Sequence, residues 1–222
     1  MVVINSVGKI NNNILDCLKN KVTSIYNNDE LIYGESYIVD KIGDYKFVIS
    51  PKSFFQVNTL MAYKLYSKVL EYCGDLSNKR VLDLYCGTGT IGLFVSKGCL
   101  ELVGIEICES AVMDANKNKE LNNVSNARFI CGDSGIELKK LNYKPDIVIV
   151  DPPRSGLDKL AINEVISLNA ERLVYVSCDP VTLARDLNIL KEYYNILEIT
   201  PVDMFPNTHH VESVVLLTKV HN

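Results

Sequence analysis

The stretch that most restricts the fold is VLDLYCGTGTIGLF at residues 81–94, where an apolar run stops at Gly87, Gly89 and Gly92 and passes into a helical pattern. Glycines at G-x-G-x-x-G spacing let a backbone turn tightly after a strand and come close to a ligand. The pattern predicts the first strand, loop and helix of a parallel α/β sheet, in which ligands sit at the carboxyl ends of the strands. Glu106 closes the next apolar run, LVGIE, where an acid can accept hydrogen bonds from ribose hydroxyls.

Further apolar runs follow at 127–130, 147–150, 172–177, 196–201 and 213–217, with helical segments between the earlier ones. Seven strands in this rhythm predict an open, mostly parallel, Rossmann-like sheet. The last two runs are joined by a loop and are expected to pair antiparallel at one edge. Upstream, NTLMAYKLYSKVLEYC predicts a helix over 58–73, with Leu60, Tyr63, Leu65, Val69 and Leu70 near helical spacing. The segment ESYIVDKIGDYKFVIS predicts two strands about a turn at Gly43-Asp44. Residues 1–26 hold short β-like pieces, 2–4 and 22–26, around Asn11-Asn12-Asn13. The expected division is a small β-rich appendage over 1–52 and a main domain over 53–222.

Composition narrows the classes that remain. Hydrophobic residues make up 47% and charged residues 23% of 222, an ordinary globular mixture, and no apolar run reaches the roughly 18 residues of a membrane span. No secretory pattern opens the chain, so a cytoplasmic protein is expected, with no membrane partner and no obligate protein partner evident. Seven scattered cysteines lack paired C-x-x-C spacing, which predicts neither a disulfide framework nor a metal site. The net charge of -4 argues against a broadly basic nucleic-acid binder, although a local basic patch is compatible with it.

Three further strand ends carry chemistry. In PDIVIVDPPRSGL, Asp151 closes a run and two prolines stiffen the exit, with Arg154 able to hold the loop or reach a phosphate. In LVYVSCDPVTLARDL, Cys178 falls where a strand ends and a capped helix begins, a place for a reactive thiolate favoured by the helix N-terminus. In DMFPNTHHVESVVLL, Glu212 precedes the final strand and is ranked above His209 and His210 as a general base.

Asp83 with Gly87 and Gly89, in D-x-x-x-G-x-G order, resembles the S-adenosylmethionine site of class I methyltransferases. The segments SFFQVN, DLYCGTGTIG, DPPRSGL, VSCDP and MFPNTHHVES, in this order, resemble the RNA uracil-5-methyltransferase family from about Asp29 onward. The resemblance implies a class I methyltransferase domain in which Gln56, Tyr85, Glu106 and Asp151 contact S-adenosylmethionine. It also implies Cys178 as the nucleophile and Glu212 as the proton acceptor. A cysteine suits that chemistry, because carbon 5 of uracil takes a methyl group only after a thiolate adds at carbon 6. The partner implied is a uridine in a structured loop of ribosomal or transfer RNA, since the base must leave its stack.

Members of that family usually carry an N-terminal RNA-binding barrel and often a four-cysteine iron-sulfur site. Neither is found in this sequence, so no iron-sulfur cluster is expected and residues 1–52 read as part of the family's middle, RNA-facing domain. A truncated gene product that binds cofactor but docks RNA weakly is one alternative. A nucleic-acid methyltransferase acting on nitrogen through the Asp-Pro-Pro loop is another, and a nicotinamide dehydrogenase is the most distant.

Overall fold

The computed structural model describes residues 1–141 and 144–220. Seven of its strands form one sheet: β6 (Arg80–Leu84), β7 (Glu101–Glu106), β8 (Ala127–Cys131), β9 (Ile147–Val150), β10 (Arg172–Ser177), β11 (Tyr194–Val202) and β12 (Glu212–Lys219). Their spatial order is β11-β12-β10-β9-β6-β7-β8. The pairs from β8 across to β10 are parallel, while β12 runs antiparallel to both β10 and β11. The expected edge pair is therefore present, with the last strand inserted between β10 and β11. The chain reverses direction across the sheet between β6 and β9, which opens a crevice at their carboxyl ends.

Both faces of the sheet are covered, which is why the runs read as continuously apolar. Alternate residues serve opposite layers. Val81, Leu102, Ile149 and Val174 pack beneath α2 (Thr59–Cys73), α3 (Thr90–Ser96) and α4 (Glu109–Leu121). Leu82, Val103, Val148 and Leu173 pack beneath α6 (Lys159–Leu168) and α7 (Pro180–Leu190), with Leu138 of α5 (Ser134–Lys140) at the margin. Helix α2 lies where its sequence predicts, with Leu65 and Val69 buried as expected, and its buried face also includes Ala62, Tyr66, Tyr72 and Cys73. Leu60, Tyr63 and Leu70 fall outside that stripe and are exposed.

The N-terminal part holds a three-stranded sheet of β1 (Val2–Ile4), β2 (Ser24–Asn27) and β3 (Glu30–Gly34). Between the two β-like pieces, which are β1 and β2, the asparagine run opens a helix that the sequence pattern does not predict, α1 (Asn12–Lys19), which carries the chain from β1 to its parallel neighbour β2. Asn11 caps it by accepting from Asn13 N–H at 2.9 Å, and Leu15 and Leu18, one helical turn apart, are half-buried. The hairpin of β4 (Ile38–Ile42) and β5 (Tyr45–Ile49) turns at Gly43-Asp44 as expected. It joins the larger core: Ile42 and Phe47 are fully buried, and Tyr45, Tyr63 and Tyr66 place their rings 5.3, 5.7 and 5.8 Å from that of Phe94.

The outer edge of β5 is closed by a helix. Asp114, Asn118 and Asn122, spaced four apart on α4 and its C-cap, accept the backbone N–H groups of Ser50, Val48 and Lys46 at 3.2, 2.6 and 2.9 Å. Asn118 is fully buried and also donates to the carbonyl of Thr88, in the glycine loop, at 3.0 Å. Replacing Asn118 by alanine strands a buried donor and a buried acceptor and is expected to cost about 2–3 kcal/mol in denaturant unfolding. Asn122→Ala, at an exposed step of the same ladder, should cost less than about 1 kcal/mol. Equal losses at the two positions would show that Asn118 has no special place in it.

Candidate functional site

Segments far apart in sequence converge on a cleft of about 650 Å³ at the carboxyl ends of β6, β7, β9 and β10. Gln56, Tyr85, Gly87, Glu106, Asp151, Cys178 and Glu212, all singled out from the sequence, line it. Gly89 and Arg154 do not. Gly89 caps α3 at φ 77°, and a Cβ there would lie 2.7 Å from the Phe129 ring, so it serves the close packing of the turn. Arg154 stands on the exposed rim with Nη2 2.7 Å from Nδ1 of His210.

The glycine loop begins with Tyr85 at φ 62°, a left-handed conformation costly for a bulky residue. Gly87 follows at φ 52°, with open space where a side chain would stand. Its N–H donates to Glu106 Oε2 at 3.1 Å, and Cys108 N–H donates to Oε1 at 2.9 Å. Glu106 thus ties two loops together and keeps lone pairs for a ligand diol. Across the cleft, the loop after β5 is anchored by Asp114, which accepts from the hydroxyls of Ser50 and Ser53 at 2.8 and 2.6 Å. Gln56 emerges from this loop with a buried Oε1 that has no hydrogen-bond partner among the described residues. Of the two phenylalanines before it, Phe55 packs on the core whereas Phe54 is 76% exposed at the cleft mouth.

One wall of the cleft is acidic. Asp83, on β6, is 0% exposed, and no side chain among the described residues hydrogen-bonds to its carboxylate, which the Gly92 N–H alone approaches. Burial pushes its carboxyl up to about 7, partly offset by the Gly92 amide dipole and reinforced by Glu106. Asp151, just past β9, is pushed up to about 8 by burial, then by Glu212 and Asp83. Glu212 is 6% exposed and is raised by burial, with the Arg154 guanidinium pulling the other way. Tyr66, whose hydroxyl donates to Thr90 Oγ1 at 3.1 Å, faces all three acids.

Cys178 and Glu212 owe their proximity to strand register. The antiparallel pairing of β10 with β12 ends at Ser177 opposite Ser213, so Cys178 and Glu212 are the next cross-strand pair. Side chains at such positions start about 5 Å apart. Because β12 runs against its neighbours, its first residue lies at the edge where the other strands finish. The expected help from the helix dipole is blunted: Asp179 caps α7 itself, accepting from Val181 and Thr182 N–H at 2.9 and 3.0 Å. The Cys178 thiol is instead raised by burial, Glu212 and Asp151, and lowered by Arg154. The loop beyond Asp151 is fixed to α7 by Thr182 donating to Arg154 O, Arg185 to Ser155 O, and Leu157 N–H to Asp186.

Sequence reasoning passed over Tyr66, Thr90 and Asp133. Tyr66 and Thr90 read as ordinary helix residues and give no signal by spacing. Asp133 follows β8 as Glu106 and Asp151 follow or close theirs, and it lines an adjoining cavity of about 260 Å³ that shares Tyr85 and Glu106. The residues present suit a ligand with a diol at Glu106, a hydrogen-bond donor for the unmet Oε1 acceptor of Gln56 and a cation near the acidic wall. No helix among the described residues is long and apolar enough to cross a membrane.

A family profile described as tRNA (Uracil-5-)-methyltransferase matches residues 11–134 and 132–220. An uncharacterized RNA methyltransferase of Clostridium acetobutylicum is 47% identical over 97% of this chain and 48% of its own length. Another from Enterococcus faecalis is 48% identical over 90% of this chain and 45% of its own. Among solved structures, the Pyrococcus abyssi tRNA (uracil-54, C5)-methyltransferase in complex with S-adenosyl-L-homocysteine superposes with a TM-score of 0.79. It shares 32% identity and covers 97% of this chain and 55% of that one. The chain spans about half the length of the curated relatives it matches.

The electrostatics of the thiol can be read chemically. Cys108 is exposed, and its pKa is lowered by the Ser110 hydroxyl and then by the Ala111 amide. Iodoacetamide at pH 8 should therefore modify Cys108 before Cys178, as resolved by peptide mapping. Glu212→Gln removes the larger like charge beside Cys178 and should speed its alkylation about three- to tenfold. An unchanged rate would mean that the two side chains are not coupled.

Proposed function

The chain belongs to the tRNA (uracil-5-)-methyltransferase family, and from that premise we propose that it transfers a methyl group from S-adenosylmethionine to carbon 5 of a uridine in structured RNA. The observation that carries the reading is the cross-strand placement of Cys178 beside Glu212 in the cleft that also holds Gln56, Tyr85 and Glu106. A thiol and a buried carboxyl at one spot match a reaction that needs both a nucleophile and a base.

S-adenosylmethionine supplies an electrophilic methyl group on a sulfonium. Glu106 is placed to accept from its ribose, Gln56 to accept from its ammonium, and Tyr85, Gly87 and Asp151 to line its length, with Gly89 shaping the loop. The Cys178 thiolate adds to carbon 6 of the uracil, and the electron pair this delivers to the ring makes carbon 5 the nucleophile. Once carbon 5 is methylated, Glu212 takes its proton, the ring recovers its double bond, and the Cys178 thiolate is expelled. In the free protein burial, Glu212 and Asp151 all raise the Cys178 thiol, and Arg154 opposes them.

The base must be extruded from its stack to reach Cys178, which costs a few kcal/mol and is cheapest in a loop. Phe54 offers a flat apolar surface at the mouth, and Arg154 on the rim is placed to meet a phosphate. Residues 1–52 serve as the RNA-facing part. A transfer RNA loop is the first substrate to try, since the Pyrococcus abyssi neighbour acts on transfer RNA; ribosomal RNA is the second.

The test uses S-adenosylmethionine and 5-fluorouridine-substituted RNA, because fluorine cannot leave carbon 5 as a proton does. Intact-mass spectrometry should show a methylated RNA adduct mapped to Cys178, absent in Cys178→Ala. Unsubstituted RNA should lose methylation by more than about 1000-fold in Cys178→Ala. Methylation that survives in that variant would sink the thiolate route and favour transfer to nitrogen.

A further inference from the structure

We propose that Asp83, Asp151 and Glu212 form a cation receptor that distinguishes the sulfonium donor from its neutral thioether product and hands protons back and forth as it does so. This rests on the reading of the cleft as an S-adenosylmethionine site. The three carboxyls come from β6, from the loop after β9 and from the start of β12, yet line one cavity. Asp83 is entirely enclosed, with no side chain among the described residues hydrogen-bonded to either oxygen and only the Gly92 N–H near it. The charged side chain acting on it is another acid, Glu106. A buried carboxylate left in this way lacks a counter-charge.

The groups around the three acids do not supply it. Tyr66 and Cys73 face them from α2, Cys86 from the glycine loop and Cys178 from the end of β10. All four are pushed toward their neutral forms. Arg154 eases Glu212 and Cys178 from the rim, and Lys52, which also lines the cleft, is paired with Asp29 at 2.9 Å. In the free protein the cluster answers by holding protons, since Asp83 titrates near 7 and Asp151 near 8.

A sulfonium entering the cleft favours the ionised acids, so their pKa values fall and protons leave. A thioether has no such charge and expels fewer. Binding of the donor thereby ionises the wall that contains Glu212 and readies it as a base. During turnover the electron pair of the S–CH3 bond stays on sulfur, which becomes neutral, while the pair on carbon 5 forms the new C–CH3 bond. The proton then taken from carbon 5 by Glu212 replaces the one that the donor displaced. The cluster ends the cycle recharged with protons and without its cation, which weakens its hold on the product.

The sign with pH follows directly. Below about pH 6 Asp83 and Asp151, pushed up to about 7 and about 8, are neutral and the donor must expel protons to gain a counter-charge; as the pH rises through those values they ionise without it. The preference for donor over product should therefore rise between these limits, by up to about tenfold per pH unit for each linked proton. Titration calorimetry of the wild-type protein in phosphate and in Tris at pH 7.5 counts the protons released on binding. S-adenosylmethionine should release about half to one proton more than S-adenosylhomocysteine. The ratio of their Kd values should grow at least about fivefold from pH 6 to 8.

Equal proton counts with a flat ratio would overturn the receptor while leaving the cofactor site intact; failure of either compound to bind would overturn both. Asp83→Asn should lose much of the pH-dependent preference for S-adenosylmethionine over S-adenosylhomocysteine. Full retention of that preference would remove Asp83 from the receptor. Should this variant fail to fold, the wild-type proton count still decides.

Discussion

Four residues of α-helix rise about 6.0 Å and two residues of β-strand about 6.7 Å, and this near match joins the two sides of the cleft. It lets Asp114, Asn118 and Asn122 meet every second N–H of β5, as a neighbouring strand would. An edge strand with a bare row of donors invites pairing with other chains, and here a helix covers it. The same ladder fixes the chain on the way to Gln56 through Ser50 and Ser53, and holds the glycine loop through Thr88. The two sides that would grip opposite ends of a cofactor are thus referenced to one helix. Sliding α4 by a turn would shift the register of all three contacts together.

A second constraint is electrostatic. Setting Asp83, Asp151 and Glu212 together at the cleft raises each of them and the thiol beside them. Such an arrangement costs stability in the empty protein. Structural acids elsewhere in the chain are treated differently: Asp186, equally buried, accepts from Tyr175, Leu157 and Arg185. The contrast between a satisfied buried acid that fixes a loop and an unsatisfied one at the cleft separates scaffold from site.

Much of this was legible in sequence because strand ends carry two signals at once, the close of an apolar run and a polar residue that a core would not choose. Glu106, Asp151 and Cys178 were visible in that way, and so was the sheet, whose strands are apolar on both faces. Other features depend on contacts that no local pattern reveals. Helix α1 is short and only half-buried on one side, so its apolar spacing is faint beside the asparagines. Helix α2 keeps Leu65 and Val69 of the expected stripe, and the rest of its buried face, Ala62, Tyr66, Tyr72 and Cys73, is small or polar-tipped and gives a weaker apolar signal. The pairing of Cys178 with Glu212 requires knowing that β12 enters between β10 and β11, and the α4 ladder requires a partner about 70 residues away in sequence. Gln56 was visible only through resemblance, since its context is a loop without periodicity.

The insertion of β12 has a bearing on how the molecule comes into being. On a ribosome the strands emerge in sequence order, and β11 meets no neighbour in the large sheet until β12 has been made to lie between it and β10. For that interval β10 presents an unpaired edge, the kind of surface on which nascent chains associate or wait for chaperones. The final strand therefore does two things in one event: it seals the sheet and delivers Glu212 to the thiol. Until then Cys178 has no Glu212 across from it, so the closing of this sheet and the meeting of the two side chains are timed together.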